Sequence, residues 1–166
     1  MATATKIPLA SVTLSAATSS ITFSGISQSY TDLILVINAK GSSTSNLRLQ
    51  FNGDTGTNYS RTVLYGTGSA AGSGRVSNFA SIAIDAYGQL DTSNFNYNSL
   101  THIQSYNNTT TYKTTLTRAN NASSGDGTDA TVGLWRSTAA VTSITVFTND
   151  SGNFASGTTF NLYGVL

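Results

Sequence analysis

Residue types able to do chemistry are few in this chain, and they lie far apart. His102 is the one histidine among 166 residues, set in the strand-like run Leu100-Thr101-His102-Ile103. A Ser-His-Asp site assembles from distant segments, and serine is abundant here. No nearby residue, however, places a nucleophilic serine or an orienting aspartate beside His102. It reads as a strand residue satisfied by its surroundings. All seven acidic residues are aspartates, scattered along the chain, which is a poor basis for the facing carboxylates of a glycosidase. The loop Gly125-Asp126-Gly127-Thr128-Asp129 offers hard oxygen ligands of the kind calcium accepts, but it lacks the full EF-hand pattern and its terminal Glu. Asx-Gly pairs usually make turns, and both this loop and Asn52-Gly53-Asp54-Thr55-Gly56 are read that way. The glycine-rich stretch from Gly66 to Gly74 has no Lys-Ser/Thr ending and no helix pattern after it, so it is not a phosphate loop. No catalytic, cofactor or metal-binding residue is expected.

The aromatic residues are the more informative set: eight Tyr, seven Phe and one Trp. If Val132 and Leu134 point to a core, alternation turns Trp135 outward beside Arg136. Exposed Trp and Arg anchor interfaces, and a Trp face also stacks on sugar rings. Three readings of Trp135 therefore stand together: packing within the fold, a subunit interface shared with Arg136, or a glycan contact.

The elements that must position these residues are strands. Thr, Val and Ile are frequent, Glu is absent and Lys occurs three times, a composition that suits pleated surfaces and not helices. Short alternating or apolar runs bounded by Gly, Asn, Asp or Ser predict strands at residues 9–14, 20–23, 32–39, 47–52, 59–65, 79–86, 97–106, 112–118, 130–137, 141–148 and 158–165. Leu47, Leu49 and Phe51 alternate with Arg48, Gln50 and Asn52, which gives one core face and one wet face. Val132 with Leu134, Ile144 with Val146, and Phe160 with Leu162 extend the expected core. Leu33-Ile34-Leu35-Val36-Ile37 is apolar on both faces, so its strand should sit centrally or meet another layer. Asn52-Gly53, Asp126-Gly127 and Ser151-Gly152 supply tight turns. The polar stretches 66–77 and 120–129 are expected to be mobile loops. These signals predict an all-β, antiparallel two-sheet β-sandwich of jelly-roll type: a single domain over residues 9–166, preceded by an N-terminal arm at 1–8.

Bulk composition narrows the function. A net charge of +1 leaves no electrostatic footprint for nucleic acid. The absence of cysteine removes disulfides, thiolate metal sites and thiol nucleophiles together. No apolar run approaches the ~20 residues of a membrane-spanning helix, and no secretory leader is evident at the N-terminus. The expectation is a soluble protein made in the cytoplasm, with no nucleic acid or membrane partner.

Nearly the whole chain resembles a group of small virion proteins of tailed bacteriophages of the marine and cyanobacterial type. The resemblance is carried by Tyr30-Thr31-Asp32-Leu33-Ile34-Leu35-Val36, by Asn52-Gly53-Asp54-Thr55-Gly56-Thr57-Asn58-Tyr59-Ser60, by Leu64-Tyr65-Gly66 and Trp135, and by the ending Phe160-Asn161-Leu162-Tyr163-Gly164-Val165. It implies a β-sandwich particle component with no catalytic or cofactor residue to carry over. The leading expectation is a capsid decoration or cement protein on the head shell. It would be a homotrimer or another symmetric oligomer that contacts the major capsid protein and itself. The alternative is a module of a tail fibre or spike that contacts tail proteins or host glycan.

Overall fold

The computed structural model describes residues 5–87, 89–92, 97–121, 127–149 and 152–166. Among these the chain forms twelve strands and no helix: β1 (Lys6–Thr13), β2 (Ser20–Phe23), β3 (Asp32–Ala39), β4 (Leu47–Phe51), β5 (Tyr59–Gly66), β6 (Ala71–Phe79), β7 (Ile82–Ala83), β8 (Tyr97–Gln104), β9 (Lys113–Asn121), β10 (Thr128–Trp135), β11 (Ile144–Thr148) and β12 (Thr159–Val165). They build two antiparallel sheets, a large one ordered β1-β12-β3-β8-β9-β10-β5-β6 and a small one ordered β2-β11-β4-β7. The protein is an all-β sandwich of jelly-roll type.

The core lies between the sheets. Leu33, Leu35 and Ile37 of β3 and Phe160 and Leu162 of β12 face Leu47, Leu49 and Phe51 of β4 and Ile144 and Val146 of β11, and all are buried. Fully burying an aliphatic side chain of this size contributes about 1.5–3 kcal/mol. Phe154 packs edge-on against Phe160 with ring centroids 5.0 Å apart. Further along the large sheet the inward face turns polar: Thr101, Thr115, Thr117 and Thr131 are buried there, and the hydroxyls of Thr101 and Thr117 are hydrogen-bonded at 2.9 Å. Threonine keeps the β-branched shape in this layer while taking little volume.

Four sequence expectations need correction or closer definition. Glycine and serine in 66–77 suggested a mobile loop, but β6 runs through it and pairs with β5 from Gly66–Ala71 to Arg61–Val76. The ladder of a neighbouring strand overrides weak local propensity. Of the strand expected at 79–86, Phe79 ends β6 and Ile82–Ala83 forms the two-residue β7, and the rest is not strand. The part of the expected arm that is described, Thr5–Pro8, enters β1 at Lys6, and Lys6, Ile7 and Pro8 oppose Val165, Gly164 and Tyr163. On β10 the phase is inverted: Val132 is 50% exposed and Trp135 only 2%. The expected turn residues Asp126 and Ser151 lie outside the described residues; of the expected loop 120–129, Asn120 and Asn121 close β9 and Thr128 and Asp129 open β10, and Asn52 and Gly53 take the left-handed backbone of their turn, with φ of 53° and 67°.

Candidate functional site

The inverted phase of β10 follows from what lies beneath it. A Cβ at Gly133 would sit 2.5 Å from Thr115 Oγ1 and 2.6 Å from Ile82 Cγ2, so the inward position has no room for a side chain. Trp135 occupies the next inward place. Its ring stacks on Tyr59 and tilts against Phe51, with centroids 6.3 and 5.5 Å away, and its indole N–H donates to Asp54 Oδ2 at 2.7 Å. Asp54 also accepts from the Gly56 N–H and the Asn58 side chain. Burial alone would raise the Asp54 pKa, but these hydrogen bonds outweigh it and hold the carboxyl below its ordinary value. The Tyr59 hydroxyl is pushed up to about 12 by burial and donates to Asp54 O. The stretch from Asn52 to Ser60 is thus an architectural clasp. Trp135 has no free face for sugar or subunit, and Arg136 beside it donates to Thr57 O and Asn78 Oδ1.

His102 and Asp32, which the sequence did not bring together, meet on the outer face of the large sheet, with Nε2 and Oδ2 2.7 Å apart. Asp32 also accepts the Ser105 N–H at 2.7 Å, so its carboxylate ties β3 to the turn after β8. Among the described residues no serine hydroxyl is hydrogen-bonded to His102, and the pair has the geometry of a brace.

A second acidic group is buried. Asp85 is fully enclosed and accepts from Asn46 Nδ2 at 2.7 Å and from the Leu47 N–H, while Asp129 accepts the Ala86 and Tyr87 N–H groups. Arg61 lies alongside and donates to Asp85 O. Burial first, and then the neighbouring charge of Asp129, raises the Asp85 pKa to about 7 against the opposing hydrogen bonds. The cluster pins the segment after β7 to both sheets. It is closed to substrate, and among the described residues no group of His and Asp side chains is placed to hold a metal ion.

The outward face of the large sheet carries an apolar band that is open on β5, β9 and β10 and covered at Ile34 on β3. Register aligns Ile34, His102, Leu116 and Val132 in one row across β3, β8, β9 and β10, and Val36, Leu100, Arg118, Ala130 and Leu64 in the next row out to β5. Leu64 is 62% exposed and Leu116 49%. Asn38, Asn98, Asn120 and Thr128 border the band on one side, and Gln104 and Thr114 on the other, each pair of rims aligned by the same register. Arg118, exposed in the middle, has only apolar cross-strand neighbours, Leu100 and Ala130. An apolar centre inside a polar rim, with one arginine, is the anatomy of a protein–protein contact surface. The sequence hinted at it only through the two-sided apolar run of β3, because on β10 the same hydrophobicity was assigned to the core.

Among the described residues no helix is long and apolar enough to cross a membrane. No protein-family model matches the chain, and comparison with curated proteins finds no similar sequence.

Proposed function

We propose that this protein is a non-enzymatic structural component of a tailed-phage particle, a capsid decoration or cement protein that works through protein–protein contact on the head shell. The observation that carries the reading is the exposed apolar band on the large sheet, with Leu64, Leu116 and Val132 outward and a polar rim around them. Such a band is idle in a protein that acts alone, and it has the composition of a surface that is covered in an assembly. The tailed-phage part of the proposal is supported by the resemblance of the Asn52–Ser60 and Phe160–Val165 stretches to small virion proteins.

Cryo-electron microscopy of the particle tests it. Stoichiometric density on the shell, with the band turned toward capsid protein, is the expected result, and density on the tail alone would sink the proposal. A tail module that grips glycan is the second reading, favoured by the Tyr65–Tyr87 ring pair, whose centroids are 4.2 Å apart with Tyr87 44% exposed. A glycan array probed with the purified chain addresses it: binding lost in Tyr87→Ala supports the second reading, and no binding removes it.

A further inference from the structure

Four strands end the two sheets: β1 and β6 in the large sheet, β2 and β7 in the small. An open edge presents a row of unpaired N–H and C=O groups, and proteins that remain apart blunt such edges with charge, proline, bulges or shortness. β1 carries Lys6, Pro8 and a register shift between Pro8 and Ala10. β2 has four residues and β7 two. β6 has nine residues without proline, and its one charged side chain is Arg75. Its bulge lies beyond Val76, toward Phe79, so the stretch from Ala71 to Val76 runs as a regular edge.

The groups that this edge presents follow from the hairpin. Thr67 N–H donates to Ala70 O at 2.8 Å. Hydrogen-bonded and non-hydrogen-bonded pairs alternate along an antiparallel ladder, so Tyr65–Gly72 and Val63–Gly74 exchange bonds, and Gly66–Ala71, Leu64–Ser73 and Thr62–Arg75 do not. The N–H and C=O groups of Ala71, Ser73 and Arg75 therefore point away from β5. No hydrogen bond from another described segment reaches them.

We propose that β6 is a self-association edge, pairing antiparallel with β6 of a second copy of this chain about a two-fold axis at Ser73. In that register Ser73 opposes Ser73 and Ala71 opposes Arg75, and each facing pair exchanges both of its bonds. The two Arg75 side chains face alanine and not each other, so like charges stay apart. Gly74 fits the same picture. A Cβ there would meet only Val63, at an ordinary 3.6 Å, so internal packing does not demand glycine, and an interior strand glycine marks a close backbone approach. Antiparallel pairing of identical strands closes on two chains, so this edge makes a dimer and not a trimer.

Sedimentation velocity of the full chain over a concentration series, combined with crosslinking by a short bismaleimide, tests this. The chain has no cysteine, so Ser73→Cys reports the β6 edge and Ser11→Cys, on β1, serves as control. The expected result is a concentration-dependent dimer that crosslinks through Ser73→Cys and not through Ser11→Cys. Ser73→Pro removes an outward donor while keeping every bond to β5, and should weaken dimerisation roughly tenfold or more with the circular dichroism of the sheet retained. A monomer at all concentrations, a trimer, or a dimer that crosslinks equally through both cysteines would overturn the inference. Should Ser73→Pro fail to fold, the cysteine pair still decides. The inference is independent of the proposed virion role: a β6 dimer that binds no particle would sink that role and leave this one standing.

Discussion

The indole of Trp135 donates to Asp54 Oδ2 at 2.7 Å across 81 residues of chain, and this bond fastens the end of β10 to the turn between β4 and β5. The same turn is held from its other side by Asn52, whose Oδ1 accepts the N–H groups of Thr142 and Ser143 at 2.8 and 3.1 Å. A short polar loop thus joins both sheets, which explains why its residues look so specific in the sequence.

Removing the carboxylate should loosen this joint. Asp54→Ala is expected to cost about 1.5–3 kcal/mol, the usual range for a hydrogen bond to a charged group. The cost should shrink in a Trp135→Phe background, where the donor is already gone. Urea unfolding of the two single variants and the double variant measures the coupling, and simple additivity would show that the bond contributes nothing.

Asp85 gives the fold a pH dependence of definite sign. Its pKa of about 7 in the fold lies above its ordinary value of 3.8, so the folded state holds the proton more tightly than the unfolded chain. Stability contributed through this group is therefore full below about pH 4, declines as the pH rises to about 7, and is level above that, for a total of roughly 4 kcal/mol. Asp85→Asn should flatten this part of the curve in urea titrations at stepped pH. Equal slopes for the variant and the natural chain would contradict the assignment.

Two glycines on the large sheet should respond to alanine with opposite signs. Gly133→Ala drives a methyl group into Thr115 and Ile82 and should cost about 1–3 kcal/mol. Gly74→Ala meets Val63 at 3.6 Å and should be neutral or stabilising by up to about 1 kcal/mol in the monomer. Thermal unfolding at low concentration separates the two.

Substitutions on the outer band should leave the fold intact while weakening attachment. Val132→Thr keeps a β-branched shape and Leu116→Thr introduces one at an exposed strand position, so both should alter stability by less than about 1 kcal/mol. Together they should weaken binding to particles stripped of this protein by roughly tenfold or more. Full binding by the double variant in a co-sedimentation assay would move the contact elsewhere.

Much of the sandwich was legible because its signals are local. Residues 20–23 and 32–39 were assigned with the bounds the structure shows, and Leu47, Leu49 and Phe51 face inward as their alternation requires. The failures have separate physical origins. Alternation fixes the period of a strand but leaves its phase open, and on β10 Val132 lies outside while Trp135 lies inside because Ile82 and Thr115 exclude any side chain at Gly133. β6 was missed because its Gly and Ser residues carry no strand preference of their own and take their shape from β5. The Asp32–His102 and Asp54–Trp135 bonds join segments 70 and 81 residues apart, a separation that no local pattern encodes.

The inverted phase of β10 also divides the strand's residues between two kinds of selection. Asp129, Thr131, Gly133 and Trp135 are held in place by what they touch inside, whereas Ala130 and Val132 touch little of their own molecule. The inward set can change only in step with the interior, but the outward set is free to drift with whatever surface it meets. Alternate residues along a single strand can therefore be exchanged while the scaffold stays unaltered.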